Sequence, residues 1–264
     1  MPSPSTSKVK CVRSIPGVCS ANFQIPNRDR YVHPVFAFGT DQSAPRPATV
    51  VAISAGLLLF SFWGLPPAWY VPVNLVAAVG LLWLAQRIHL TPSELGLGRE
   101  QAPAGMKWGI AGGFVVAVVL ALGVAIPATR PLFDDARAAG IGPGLLAYRA
   151  LIRIPLGTVL LEEVAFRSVL LAAWRRVASL PVAVIGSSVV FGLWHIRPAI
   201  DLLIENDVAA DGPVRLLVVG GAVAGTALAG VAFCWLRVRS DSLLAPALAH
   251  LAANSLATVF AYLV

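Results

Sequence analysis

Charge is scarce in this sequence: Asp, Glu, Lys and Arg make up 12% of its 264 residues, against 57% apolar residues. With a mean hydropathy of +0.77, that shortage excludes an ordinary soluble domain, in which about a quarter of the residues carry charge. The chain holds more apolar surface than one aqueous core can bury, and it reads as a polytopic membrane protein. Cysteine is almost absent. Cys11, Cys19 and Cys234 have neither paired nor metal-type spacing, which argues against a disulfide framework and a cysteine-based zinc cluster. Also missing are Gly-x-Ser-x-Gly, His-Glu-x-x-His and the phosphate-binding Gly-x-x-x-x-Gly-Lys. The net charge of +7 does not point to nucleic acid, because the basic residues are scattered through short connections between apolar runs. Orientation in a bilayer accounts for them better.

The first 46 residues contain no continuous apolar stretch of the kind a secretory signal needs. They hold six prolines, and Lys8, Lys10, Arg13, Arg28, Arg30 and Arg46 against Asp29 and Asp41. We expect a largely disordered basic tail that can lie on an anionic leaflet. Residues 47–264 form the expected integral membrane domain, an all-α bundle of about seven spans near 48–63, 69–85, 108–126, 145–176, 180–194, 216–236 and 243–263. Pro155 is expected to kink the fourth. Residues 127–144 and the acidic stretch 197–215 read as loops, and Gly221 and Gly225 form a Gly-x-x-x-Gly pair suited to close helix packing. The bias of short loops places Arg87, Arg99, Lys107, Arg175, Arg176, Arg237 and Arg239 inside, with the N-terminus cytoplasmic and the C-terminus outside.

Within the fourth span stand Glu162, Glu163 and Arg167. At a membrane centre each such charge costs about 2.5–3.5 kcal/mol, so it needs a structural or functional reason. On a helix Glu163 and Arg167 are i,i+4 neighbours, whereas Glu162 is turned by about 100° and lacks that local partner. Phe191 and His195 close the fifth span, and His250 and Asn254 share one face of the last. Counted from the inner ends of their helices, Glu162, His195 and His250 lie about 20, 21 and 14 Å deep. A base, a proton partner and neutral donors at comparable depth make a water-activating centre. A buried ion-pair cluster that only locks helices together is the alternative, and Glu162, His195 and His250 are also acceptable zinc ligands.

These residues resemble the CPBP family, the type II CAAX prenyl endopeptidases and bacteriocin-processing or immunity proteins. The marks are Glu162-Glu163 with Arg167, Phe191 with His195, and His250 with Asn254, over about residues 145–257. Ser168 departs from the glycine that many members have after the arginine. The resemblance implies an intramembrane glutamate endopeptidase, with Glu162 and His195 activating water, His250 and Asn254 stabilising the oxyanion, and Glu163, Arg167 and Phe191 in support. No cofactor is implied in this mechanism, and zinc is the alternative. The implied partners are a membrane-associated peptide or protein substrate and the lipid bilayer, in the plasma membrane of a prokaryote. A non-catalytic immunity or scaffold protein is the reading of a different class.

Overall fold

Apolar runs of this length leave the backbone no polar partner but itself, so helix is the expected outcome throughout the membrane domain. The computed structural model describes residues 46–207 and 212–264, and every regular element among them is helical. The expected tail falls almost wholly outside the described residues. In chain order the helices are α1 (Pro47–Ser61), α2 (Pro67–Arg87), α3 (Ala102–Ala125), a continuous helical run α4 over residues 143–177, α5 (Leu180–Trp194), α6 (Ile196–Glu205), α7 (Pro213–Ser240) and α8 (Leu244–Leu263). Five stretches, Pro67–Arg87, Arg99–Ala125, Leu180–Glu205, Pro213–Ser240 and Leu244–Leu263, are long and apolar enough to cross a membrane. α1 is apolar but only 15 residues long.

α4 is the most deeply buried element, with residues 161–173 all inaccessible. Around Pro155 its hydrogen bonding widens: the stretch Arg149–Val159 has i→i+5 bonds, and the Leu160 N–H reaches Pro155 O. Proline has no N–H and its ring presses on the carbonyl four residues back, so a wider turn relieves both. Glycine lets α2 close on this segment. A Cβ at Gly157 would stand 2.9 Å from the Tyr70 ring.

Two ends of the bundle can be told apart. At one end the connection 88–101 packs on the last turns of α4 and α7: Leu243 N–H donates to Gly96 O (2.9 Å), Arg237 Nη2 to Glu94 O (2.8 Å) and buried Ser168 to Leu95 O (2.9 Å). The departure at Ser168 thus gains a hydrogen bond that glycine cannot make. Gly96 has φ of +75°, and a Cβ there would run into the Arg237 guanidinium. Glu94 accepts from Thr91 N–H, the Thr91 hydroxyl and Arg176 Nη2, each at 2.8 Å. Burial pushes its carboxyl up, but those donors outweigh it and hold the group at about 2. The basic residues expected inside sit at this end. At the other end lie the α1–α2 turn, the 126–142 connection and α6, joined by Ala136 N–H to Asn206 Oδ1 (2.9 Å).

Two expectations require correction. Much of 197–215 is helix rather than loop, because Ala199 and Leu203 fall one turn apart and bury one face of α6, while Arg197 and Asp201 pair across i,i+4 at 2.7 Å. Among the described residues the pair Gly221 and Gly225 does not pack against another helix: none lies within 4 Å of where their Cβ atoms would be.

Candidate active site

Glu163 and Arg167 form the i,i+4 pair that their spacing requires, with Nη1 3.2 Å from Oε1 and both side chains essentially inaccessible. None of the Arg167 nitrogens makes a hydrogen bond of good geometry. The cation is held instead by the carboxylate and by aromatic faces, 3.8 Å above the Phe191 ring and 5.0 Å from the Phe233 ring. Phe191, on α5, thus contacts the Arg167 cation directly.

His250 on α8 enters between the two glutamates. Its Nδ1 lies 2.8 Å from Glu163 Oε1 and its Nε2 3.6 Å from Glu162 Oε2, so the carboxylates that diverge along α4 straddle one imidazole. Phe233 stacks on that ring at 4.9 Å. One turn further along α8, Asn254 Nδ2 stands 3.2 Å from His250 Nε2. Donation from Nδ1 to the carboxylate leaves Nε2 as the nitrogen facing Glu162 and Asn254.

α5 contributes Trp194 and His195. The Trp194 indole N–H donates to Glu162 Oε1 at 3.1 Å, and its ring stacks on Phe60 of α1. Glu162 Oε2 remains buried with no hydrogen bond to the protein. His195 is half-buried, its ring 4.6 Å from Phe191, and its Nδ1 lies 2.8 Å from Phe191 O. A carbonyl only accepts, so Nδ1 carries the proton and Nε2 is left free in the neutral ring. Of the predicted residues, then, Glu162, Glu163, Arg167, Phe191, His250 and Asn254 form one contact network. His195 joins it through Phe191, with no direct hydrogen bond to Glu162.

A cavity of about 350 Å³ runs from the α1–α2 turn down to Glu162. Trp194, Tyr70, Asn74 and Arg153 line it with Glu162, and Arg197 and Asp201 stand at its mouth. Asn74 is buried, and its Nδ2 donates to Gly157 O at 2.6 Å; the Tyr70 hydroxyl meets Thr158 Oγ1 at 3.0 Å. Sequence reasoning did not single out Trp194, Tyr70 or Asn74. The available signal was Asn74 itself, a lone amide in an apolar span, and an indole beside the predicted histidine. Among the described residues no three His, Cys, Asp or Glu side chains are grouped at metal-ligating spacing, so Glu162, His195 and His250 do not make a ready-built zinc site.

A helical membrane bundle with a buried Glu-Glu-Arg-His-Asn network defines a polar intramembrane centre. Residues 144–256 match the family described as type II CAAX prenyl endopeptidase Rce1-like. The matched segment contains every residue of the network, and its similarity to that family agrees with the resemblance carried by the three motifs. No curated protein and no solved structure matches the chain. The protein is therefore an integral membrane protein that is similar, over residues 144–256, to the type II CAAX prenyl endopeptidases.

Proposed function

We propose that the protein is a glutamate-dependent intramembrane endopeptidase in which Glu162 is the base. The observation that carries this is Glu162 Oε2: buried, without a hydrogen bond to the protein, at the floor of a cavity and 3.6 Å from His250 Nε2. Trp194 fixes the other oxygen, so the proton acceptor is held in one orientation. A water beside Oε2 loses its proton to Glu162 as its oxygen bonds to the peptide carbonyl carbon. Asn254 Nδ2 supplies a donor for the oxyanion, His250 Nε2 supplies a second when both ring nitrogens carry protons, and Glu163, anchored by Arg167, orients the imidazole. The C–N bond then breaks, and the leaving amine takes the proton that Glu162 removed from the water, directly or relayed through His195 Nε2, the nitrogen that is free to accept it first.

The substrate in this reading is a membrane-associated peptide or protein, met in the plasma membrane of a prokaryotic cell. The expected orientation puts the basic end of the bundle in the cytoplasm and the cavity mouth on the opposite face. Glu162→Gln preserves shape and the contact with Trp194 but removes the base. In cells it should abolish cleavage with protein abundance near wild type, and membrane proteomics should reveal an uncleaved substrate. Full biological function in that variant would overturn the assignment and favour a non-catalytic scaffold.

A further inference from the structure

Arg153 is the odd charge in the cavity. It is half-buried, and its guanidinium lies over the Tyr70 ring with Cζ 4.2 Å from the centroid. Among the described residues it forms no ion pair and no hydrogen bond. The other charges at the mouth are matched: Arg197 with Asp201 at 2.7 Å, and Glu205 with Arg137 at 3.6 Å. Further down, the same wall carries two buried acceptors without donors, Asn74 Oδ1 and Glu162 Oε2.

The wall is thus a cation lacking an anion, followed by acceptors lacking N–H groups. An extended peptide supplies both: backbone N–H groups along its length and a carboxylate at its terminus or on an acidic side chain. A lipid phosphodiester would satisfy Arg153 but offers no N–H to Asn74. In a regular α-helix residues 153 and 162 would face opposite ways, about 900° apart. The widened turns over Arg149–Val159 bring both to one cavity. Nine residues of helix span roughly 13 Å, the length of about four extended residues.

We propose that Arg153 is the specificity-determining anchor for a substrate carboxylate about four residues from the scissile bond, with Asn74 Oδ1 accepting from a backbone N–H between them. Only the spacing rests on Glu162 being the base. The anchoring itself is a binding property and is tested without cleavage.

The full-length protein carrying Glu162→Gln is placed in phosphatidylcholine nanodiscs and titrated with three acetylated eight-residue Ala/Leu peptides. One ends in a free carboxylate, one in an amide, and one in an amide with an aspartate at the fifth position. Binding is read from the fluorescence of Trp63 and Trp194, which line the cavity. The free acid or the aspartate peptide should bind at least about tenfold more tightly than the plain amide, as expected for a charge-assisted contact in a partly buried site. Which of the two gains identifies the source of the carboxylate. Arg153→Gln should reduce the preference to less than about twofold, and Arg153→Lys should retain most of it, since a carboxylate contact survives with a point charge. Equal binding of all three peptides, no binding of any, or a preference that survives Arg153→Gln would overturn the proposal. So would an Arg153-dependent signal from phosphatidylglycerol in the nanodisc without peptide discrimination, which assigns the residue to lipid. Loss of the Glu162 reading in cells would leave the peptide preference standing.

Discussion

Arg167→Ala removes the permanent cation that pairs with buried Glu163. The arginine side chain is fully buried, its Nη1 lies 3.2 Å from Glu163 Oε1, and its guanidinium covers the Phe191 ring at 3.8 Å. Truncation leaves a buried carboxylate whose remaining partner is His250 Nδ1. Breaking one side of a buried pair costs about 3–5 kcal/mol, of which about 2 kcal/mol is assignable to the desolvated cation–π contact. That corresponds to a drop of roughly a hundredfold to a few thousandfold in the folded-to-unfolded ratio. Adding Glu163→Gln removes the stranded charge and keeps an oxygen for His250, so the double variant should regain about 1–3 kcal/mol, the part of the loss that is not the cation–π contact. The assay is reversible unfolding of purified protein in mixed micelles of rising SDS content, followed by tryptophan fluorescence. A loss below about 1 kcal/mol for the single variant contradicts the buried-pair energetics. A double variant no more stable than the single one would show that packing, and not the orphaned charge, sets the cost.

Trp194→Phe keeps the stack on Phe60 but deprives Glu162 Oε1 of its donor; the expected cost is about 1.5–3 kcal/mol in stability, with cleavage impaired more than abundance. Gly157→Ala places a methyl 2.9 Å from the Tyr70 ring, and the cavity wall should open at a cost of about 1–3 kcal/mol, seen as a lower melting temperature. Glu94 is held at about 2 in the folded protein, below its ordinary 4.5, so its stabilising contribution is complete above about pH 4.5 and is lost as pH falls toward 2. Hydrogen exchange in the 88–101 connection should accelerate over that window, and an unchanged rate would contradict the Glu94–Arg176 clamp. A zinc chelator should leave cleavage intact; loss of activity restored by added zinc would move the chemistry to a metal. Reporter fusions after Arg176 and Arg239 should report the cytoplasm and fusions at Asp207 the opposite side.

What the sequence made legible was the part written in helical spacing. Glu163 with Arg167 and His250 with Asn254 are i,i+4 pairs, and counting rise per residue placed Glu162 and His250 at depths that let them meet. Three things resisted. The sharing of one imidazole by both glutamates depends on how α8 docks, which no local period encodes. Arg153 lies near the start of a helical run longer than a bilayer core, which by length alone reads as interfacial; its sharing of a cavity with Glu162 depends on the wider turns around Pro155, a response to a missing N–H that spacing rules do not carry. The acidic residues of 201–211 disguised α6 as a loop, although Ala199 and Leu203 already marked an apolar face.

The cavity has an uneven authorship. Glu162, Trp194 and Arg153 come from within residues 144–256, but the facing wall, with Phe60, Tyr70 and Asn74, is supplied by α1 and α2, outside the segment that matches the protease family. The Glu-Glu-Arg-His-Asn network and about half of the cavity lining therefore lie on different stretches of chain. Substitutions at Tyr70 and Asn74 on α2 can reshape the cavity wall while every side chain of the Glu-Glu-Arg-His-Asn network stays the same.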